Sequence, residues 1–181
     1  MGATRSHPPV LPILAVFAGQ EAAIEWGIAS AADQWGDVLL RSQPFPFEET
    51  AYYAPSMGSS LTKVLVAFSR LFDPAELPRR KQQSNRWEEE YAAARPGAVP
   101  RPLNLDPGYL TLAKVVLATT KDRDHRIYLG DGIFAECTLA YHRGAWRNQP
   151  WTYPDYRQAS YHAFFDEARA AYRKLLAEQK I

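Results

Sequence analysis

The chain has 181 residues, 46 % of them apolar and 23 % charged, with a formal net charge of +1 and a single cysteine. That composition suits one globular domain with a buried core. It excludes a disulfide scaffold, lacks the basic excess of a nucleic-acid binder, and holds no apolar run near the ~20 residues a membrane span needs.

Residues 1–9 are polar and carry Pro8 and Pro9, which predicts a loose tail ahead of a single domain over 10–178. "VLPILAVFAG" is apolar throughout and reads as a buried first strand, not as a membrane segment or a signal peptide. "QEAAIEWGIASAADQWG" then places Ile24, Ile28 and Trp35 on one helical face and ends at Gly36. "DVLLRSQPFPF" predicts a second strand, stopped by Pro44 and Pro46, followed by a loop through "EETAYYAPSMGSS". The third strand, "LTKVLVAFSRLF", alternates Leu61, Lys63, Leu65 and Ala67 against Val64, Val66 and Phe68.

Asp73, Pro74 and Glu76 form a helix start, and the helix runs to about residue 94. "YLTLAKVVLATT" is apolar at nearly every position, so periodicity does not separate strand from helix. The reading adopted is a short strand at 102–105, a turn at Asp106-Pro107-Gly108 and a helix over 109–120. Two β-rich runs around Gly130-Asp131-Gly132 predict a hairpin over 126–142, with a second turn at Arg143-Gly144. The last segment is an amphipathic helix with Tyr161, Phe164, Phe165, Ala168, Tyr172, Leu175 and Leu176 on one face. The expected fold is a single α+β domain. Its mainly antiparallel sheet has ferredoxin-like βαββαβ order, extended by the hairpin and the C-terminal helix.

Absent motifs narrow the function. "MGSSLTK" lacks the second glycine of a phosphate loop, and "GDGIFA" joins two strands rather than a strand and a helix. No H-E-x-x-H, C-x-x-C or G-x-S-x-G occurs. Cys137, in "IFAECTLAY", reads as a small buried hydrophobe.

Three stretches, "PFPF…YY…MGS", "NLDPGYLTLAKVVLATTKDRDHRIYLGDGIFAE" and "WTYPDYR", resemble the bacterial and archaeal domain-of-unknown-function family 4416, from about residue 10 to 168. Some members of that family carry a GTP-binding label. The resemblance implies no reaction and no residue roles. The label also finds no guanine-reading N-K-x-D or T-K-x-D here, because "TTKDRD" has its aspartate one position early.

The residues themselves offer a candidate anion site. Lys114 and Lys121 are seven apart and share a face if 109–120 is helical. Lys121 and Arg123 also suit a helix C-terminus, which explains them without function. Asp106 and Glu136 are candidate acid–base groups or ligands for Mg2+, although Asp106 also suits a turn. His125 is a candidate general base or a surface hydrogen-bonder. Trp151 and Tyr153 either stack a ligand ring or cap the core, and Phe45, Phe47, Tyr52 and Tyr53 either line a pocket or close the sheet.

The favoured ligand is a small phosphorylated or nucleotide-like anion in a cytoplasmic protein. Asn104, Lys114, Lys121, Arg126, Trp151 and Tyr153 would hold it. The rival reading is a non-catalytic RNA- or protein-interaction module, though the net charge does not favour nucleic acid.

Overall fold

Every strand run seen in the sequence enters one sheet. A computed structural model describes residues 2–47, 50–97 and 99–179. Within them the chain runs β1 (Leu11–Ala18), α1 (Glu21–Trp35), β2 (Val38–Arg41), β3 (Phe45–Phe47), α2 (Thr50–Met57), β4 (Leu61–Phe68) and α3 (Leu77–Ala94). It continues through β5 (Leu103–Leu110), β6 (Lys114–Thr119), β7 (Ile127–Gly130), β8 (Ile133–His142), β9 (Ala145–Asn148) and α4 (Ala159–Glu178). The sheet order is β2-β4-β1-β5-β6-β8-β7, with β3 also on β4 and β9 also on β8. All eight strand pairings are antiparallel.

Helices cover both faces of this sheet. Ile24, Ile28 and Trp35 of α1 pack with Leu14, Val16 and Val66, and α3 adds Tyr91. On the other face, Phe164, Phe165 and Tyr172 of α4 pack with Ile13, Leu65 and Leu117. Burial of each large apolar side chain contributes about 1.5–3 kcal/mol. β1 lies between β4 and β5 under both layers, so all its positions are buried and it shows no polar alternation. Lys63 shares its side of β4 with Leu65 and Ala67, as the alternation implies.

Three local expectations are corrected. First, residues 109–120 are not a helix, and Asp106-Pro107-Gly108 is not a turn. β5 runs straight through it and β6 follows after a tight connection. Thr111 builds that connection, its hydroxyl oxygen accepting from the amides of Ala113 and Lys114, each at 3.1 Å. A strand covered on both faces is as uniformly apolar as a buried helix, and here the β-branched Val115, Val116 and Thr119 prevail. Second, part of the segment read as a loop is the helix α2. Third, the 37–47 strand is two short strands, β2 and β3, both paired to β4.

The other local signals hold. The Asp73 carboxylate accepts from the Ala75 amide at 2.9 Å and opens a 3-10 turn that leads into α3. Asp131 and Gly132 take left-handed backbone (φ 54° and 74°) between β7 and β8, and Arg143 and Gly144 do so between β8 and β9. Among the described residues no helix is long and apolar enough to cross a membrane.

Candidate active-site cleft

The site begins as a parting of two strands. β5 and β6 pair only where Gly108–Leu110 meets Val115–Leu117. Beyond that point β5 has a bare edge, and α3 serves it with side chains. Glu88 Oε1 accepts from the Leu105 amide at 2.7 Å. Lys81 Nζ donates to the Leu105 carbonyl at 2.9 Å and to Asp106 Oδ1 at 3.2 Å. Buried backbone polar groups need partners, and here two side chains stand in for a missing strand. Pro107 fits for the same reason. It has the orientation of Leu105, so its missing N–H faces the gap, not β1. Burial raises the Glu88 carboxyl pKa, with Lys81 opposing.

Two adjoining cavities of about 480 and 380 Å³ occupy this gap and share Tyr53, Asp106, Leu117, Lys121 and Tyr153 in their walls. Each has the size of a small-molecule site. In the larger one, Arg101 Nη2 donates to Asn104 Oδ1 at 2.6 Å and to Glu88 Oε2 at 3.3 Å. The first bond orients the Asn104 amide. Its Nδ2 is then buried without an acceptor among the described residues, on a residue only 5 % exposed. The smaller cavity has an aromatic end. Lys63 Nζ sits 4.3 Å from the Phe47 ring centre and donates to Asp155 Oδ2 at 2.5 Å. Burial, then the Asp155 charge, pushes the Tyr156 and Tyr161 hydroxyl pKa values up. Arg123 lines this cavity, is exposed, and has no ion pair among the described residues.

Glu136 anchors a third group. Arg126 Nε donates to its Oε2 at 2.8 Å, His125 Nε2 lies 3.2 Å from the same oxygen, and Thr138 Oγ1 donates to Oε1 at 3.3 Å. Arg126 Nη2 also donates to the Tyr153 hydroxyl at 2.7 Å. Burial and the Glu136 charge push that hydroxyl to about 12, so it stays protonated at neutral pH. The His125 ring stacks on Trp151 at 5.0 Å, and Trp151 donates to the Cys137 carbonyl at 3.0 Å. Burial raises the Cys137 thiol pKa.

Of the residues singled out from sequence, Asn104, Asp106, Lys121, Arg126, Glu136 and Tyr153 line one cavity or both. Lys114 does not join them. It starts β6, with Ala140 opposite, at the far end of that strand from Lys121. The shared helical face expected for Lys114 and Lys121 disappears with the helix. Trp151 and His125 pack on each other rather than lining either cavity. Phe47 and Tyr53 line the aromatic end, Phe45 packs at a tilt against Tyr161, and the Tyr52 side chain lies outside the described residues. Among the described residues no three metal-ligating side chains converge.

Lys81 and Glu88 of α3 are among the cleft residues that sequence reasoning missed. They had a readable signal. Leu77, Lys81, Ser84, Glu88 and Tyr91 form one helical stripe, buried at both apolar ends. Polar residues inside such a stripe must find partners where the helix meets the core.

The family profile of domain of unknown function DUF4416 matches residues 8–172. The chain belongs to that family. The cleft of this DUF4416 protein lies wholly inside the matched span. No curated protein and no solved structure matches the chain.

Proposed function

We propose that the cleft binds a small phosphorylated or nucleotide-like molecule. Lys121 and Arg123 hold its anionic group, and Tyr53 and Tyr153 flank its ring. The observation that carries this reading is the buried Nδ2 of Asn104, which has no acceptor among the described residues and whose orientation Arg101 sets. A buried donor without a partner is costly, and a ligand oxygen supplies the acceptor. Asp106 Oδ2 has no partner among the described residues, and it is the oxygen available to a Mg2+ ion carried by ligand phosphate. Asp106 is for the same reason the first choice among Asp106, Glu136 and His125 for acid–base work, since Glu136 already has a partner on each oxygen. We read β2-β4-β1-β5, with α1 and α3 on one face, as a ferredoxin-like core to which β6–β9 and α4 are added within one domain over 10–178.

The test is a thermal-shift and calorimetric comparison of sugar phosphates and nucleotides with their unphosphorylated counterparts, with and without Mg2+. A ligand at a hundredfold excess over its Kd stabilises by about 2.7 kcal/mol. Phosphorylated probes are expected to raise Tm, and Asn104→Asp and Arg123→Ala to weaken them. Equal responses to both sets of probes would remove the reading.

A second reading, a protein-interaction module, is favoured by the β7 edge. Ile127, Tyr128 and Leu129 are 72 %, 59 % and 41 % exposed there, and an unguarded apolar edge strand invites another strand. Ile127→Lys is expected to abolish any partner held at that edge and to leave ligand binding in the cleft intact.

A further inference from the structure

Helix α3 carries two polar stripes. Lys81, Ser84 and Glu88 serve the cleft. Arg79, Arg80, Gln83 and Arg86 lie on an adjacent stripe and line a separate cavity of about 200 Å³ beside Gln34 and Trp35 at the end of α1. Arg80 is the unusual member. It is 8 % exposed, with its guanidinium carbon 3.8 Å from the Phe72 ring centre and 5.0 Å from that of Trp35. Its Nε and Nη1 are buried and have no acceptor among the described residues.

Stacking between aromatic rings accounts for the position of the guanidinium, but not for its idle donors. Among the described residues no carboxylate forms an ion pair with Arg79, Arg80 or Arg86, and Glu76 is the one acid in the cavity wall. Burial lowers the Arg80 pKa to about 10, with Glu76 opposing and Arg70 adding to the fall. The group is therefore still a cation at neutral pH, held in a place where an unbalanced cation is unfavourable.

Gln83 adds a second, independent feature. Trp35 Nε1 donates to its Oε1 at 2.9 Å. That bond fixes which way the amide faces and leaves its NH₂ to donate, and no described residue takes it up. Three guanidinium groups and one oriented amide thus supply donors around a small hollow, with one acid among them. Planar arginine forks suit the oxygens of a tetrahedral anion. The volume admits a phosphoryl group with room for a small substituent.

We propose that this hollow between α1 and α3 is an oxyanion site, built for phosphate or for the phosphoryl end of a small ester, and separate from the cleft. It does not depend on the function proposed for the cleft.

Calorimetry on the full chain with inorganic phosphate, against sodium chloride at equal ionic strength, tests it. Phosphate is expected to bind and to raise Tm where chloride does not. Arg86→Ala should weaken phosphate by about tenfold, as for loss of one charge-assisted hydrogen bond. Gln83→Glu should abolish the response and raise Tm in the absence of phosphate, because the new carboxylate takes the place of the anion. Arg123→Ala, in the cleft, should leave this binding unchanged. Glycerol phosphate in place of inorganic phosphate tells an ester from the free ion, and tighter binding of either at the Arg86-dependent site supports the proposal. A phosphate response no larger than that to chloride, or one that survives both Arg86→Ala and Gln83→Glu, overturns it.

Discussion

At its Leu110 end β5 exchanges backbone hydrogen bonds with β6, whereas at its Leu103 end the same edge is served by Lys81 and Glu88 of α3. Both ends satisfy the buried backbone, but by different means. The paired end is closed by strand-to-strand contact so tight that a Cβ at Gly108 would lie 2.2 Å from the Val116 carbonyl oxygen. The served end leaves a gap wide enough for a ligand, and its hydrogen bonds depend on side chains that belong to another element. A sheet can thus hold a cleft within itself if a neighbouring helix supplies the missing partners.

Four substitutions separate the two ends. Gly108→Ala should do the most harm, about 3 kcal/mol in urea unfolding, since the obstacle is backbone and not a movable side chain. Glu88→Ala strands the buried Leu105 amide and should cost about 2 kcal/mol. Glu88→Gln keeps an acceptor and isolates the titration. Burial raises the folded-state pKa of Glu88, so the folded protein binds this proton more tightly than the unfolded chain does. Its contribution is fully present below the ordinary carboxylate pKa and is lost as pH rises through the raised value. The stability difference between wild type and Glu88→Gln should therefore move against wild type across that window and then level off. Arg123→Ala, at an exposed side chain with no ion pair among the described residues, should change stability by no more than about 0.5 kcal/mol while weakening ligand binding in the cleft.

The sequence disclosed those elements whose pattern has one physical cause. The alternation of β4, the face of α4 and the D-G turn after β7 each reflect one constraint, and each appears in the structure. Residues 103–120 misled because burial on both faces erases periodicity, and because Asp-Pro-Gly is turn chemistry unless a gap in the sheet excuses the proline. α2 escaped because the run containing it, with its internal Pro55, resembles a loop. Asn104, Asp106, Lys121, Arg126, Glu136 and Tyr153, singled out in polar or aromatic stretches next to apolar strands, line one cavity or both. Lys81 and Glu88 were not singled out, because a charged helix such as α3 resembles an ordinary solvated one until its partner strand is known, and Arg101 was not, because it lies between Pro100 and Pro102 in a stretch that reads as a linker.

The enclosure of β1 has a consequence for deuterium exchange. Flanked by β4 and β5 and buried at all eight positions, its amide protons should exchange only through global unfolding. The Leu105 amide, gripped by a carboxylate from a helix, should exchange whenever α3 moves away from the sheet. An occupant of the cleft should slow the second process and leave the first untouched, so the ratio of the two rates reports occupancy directly.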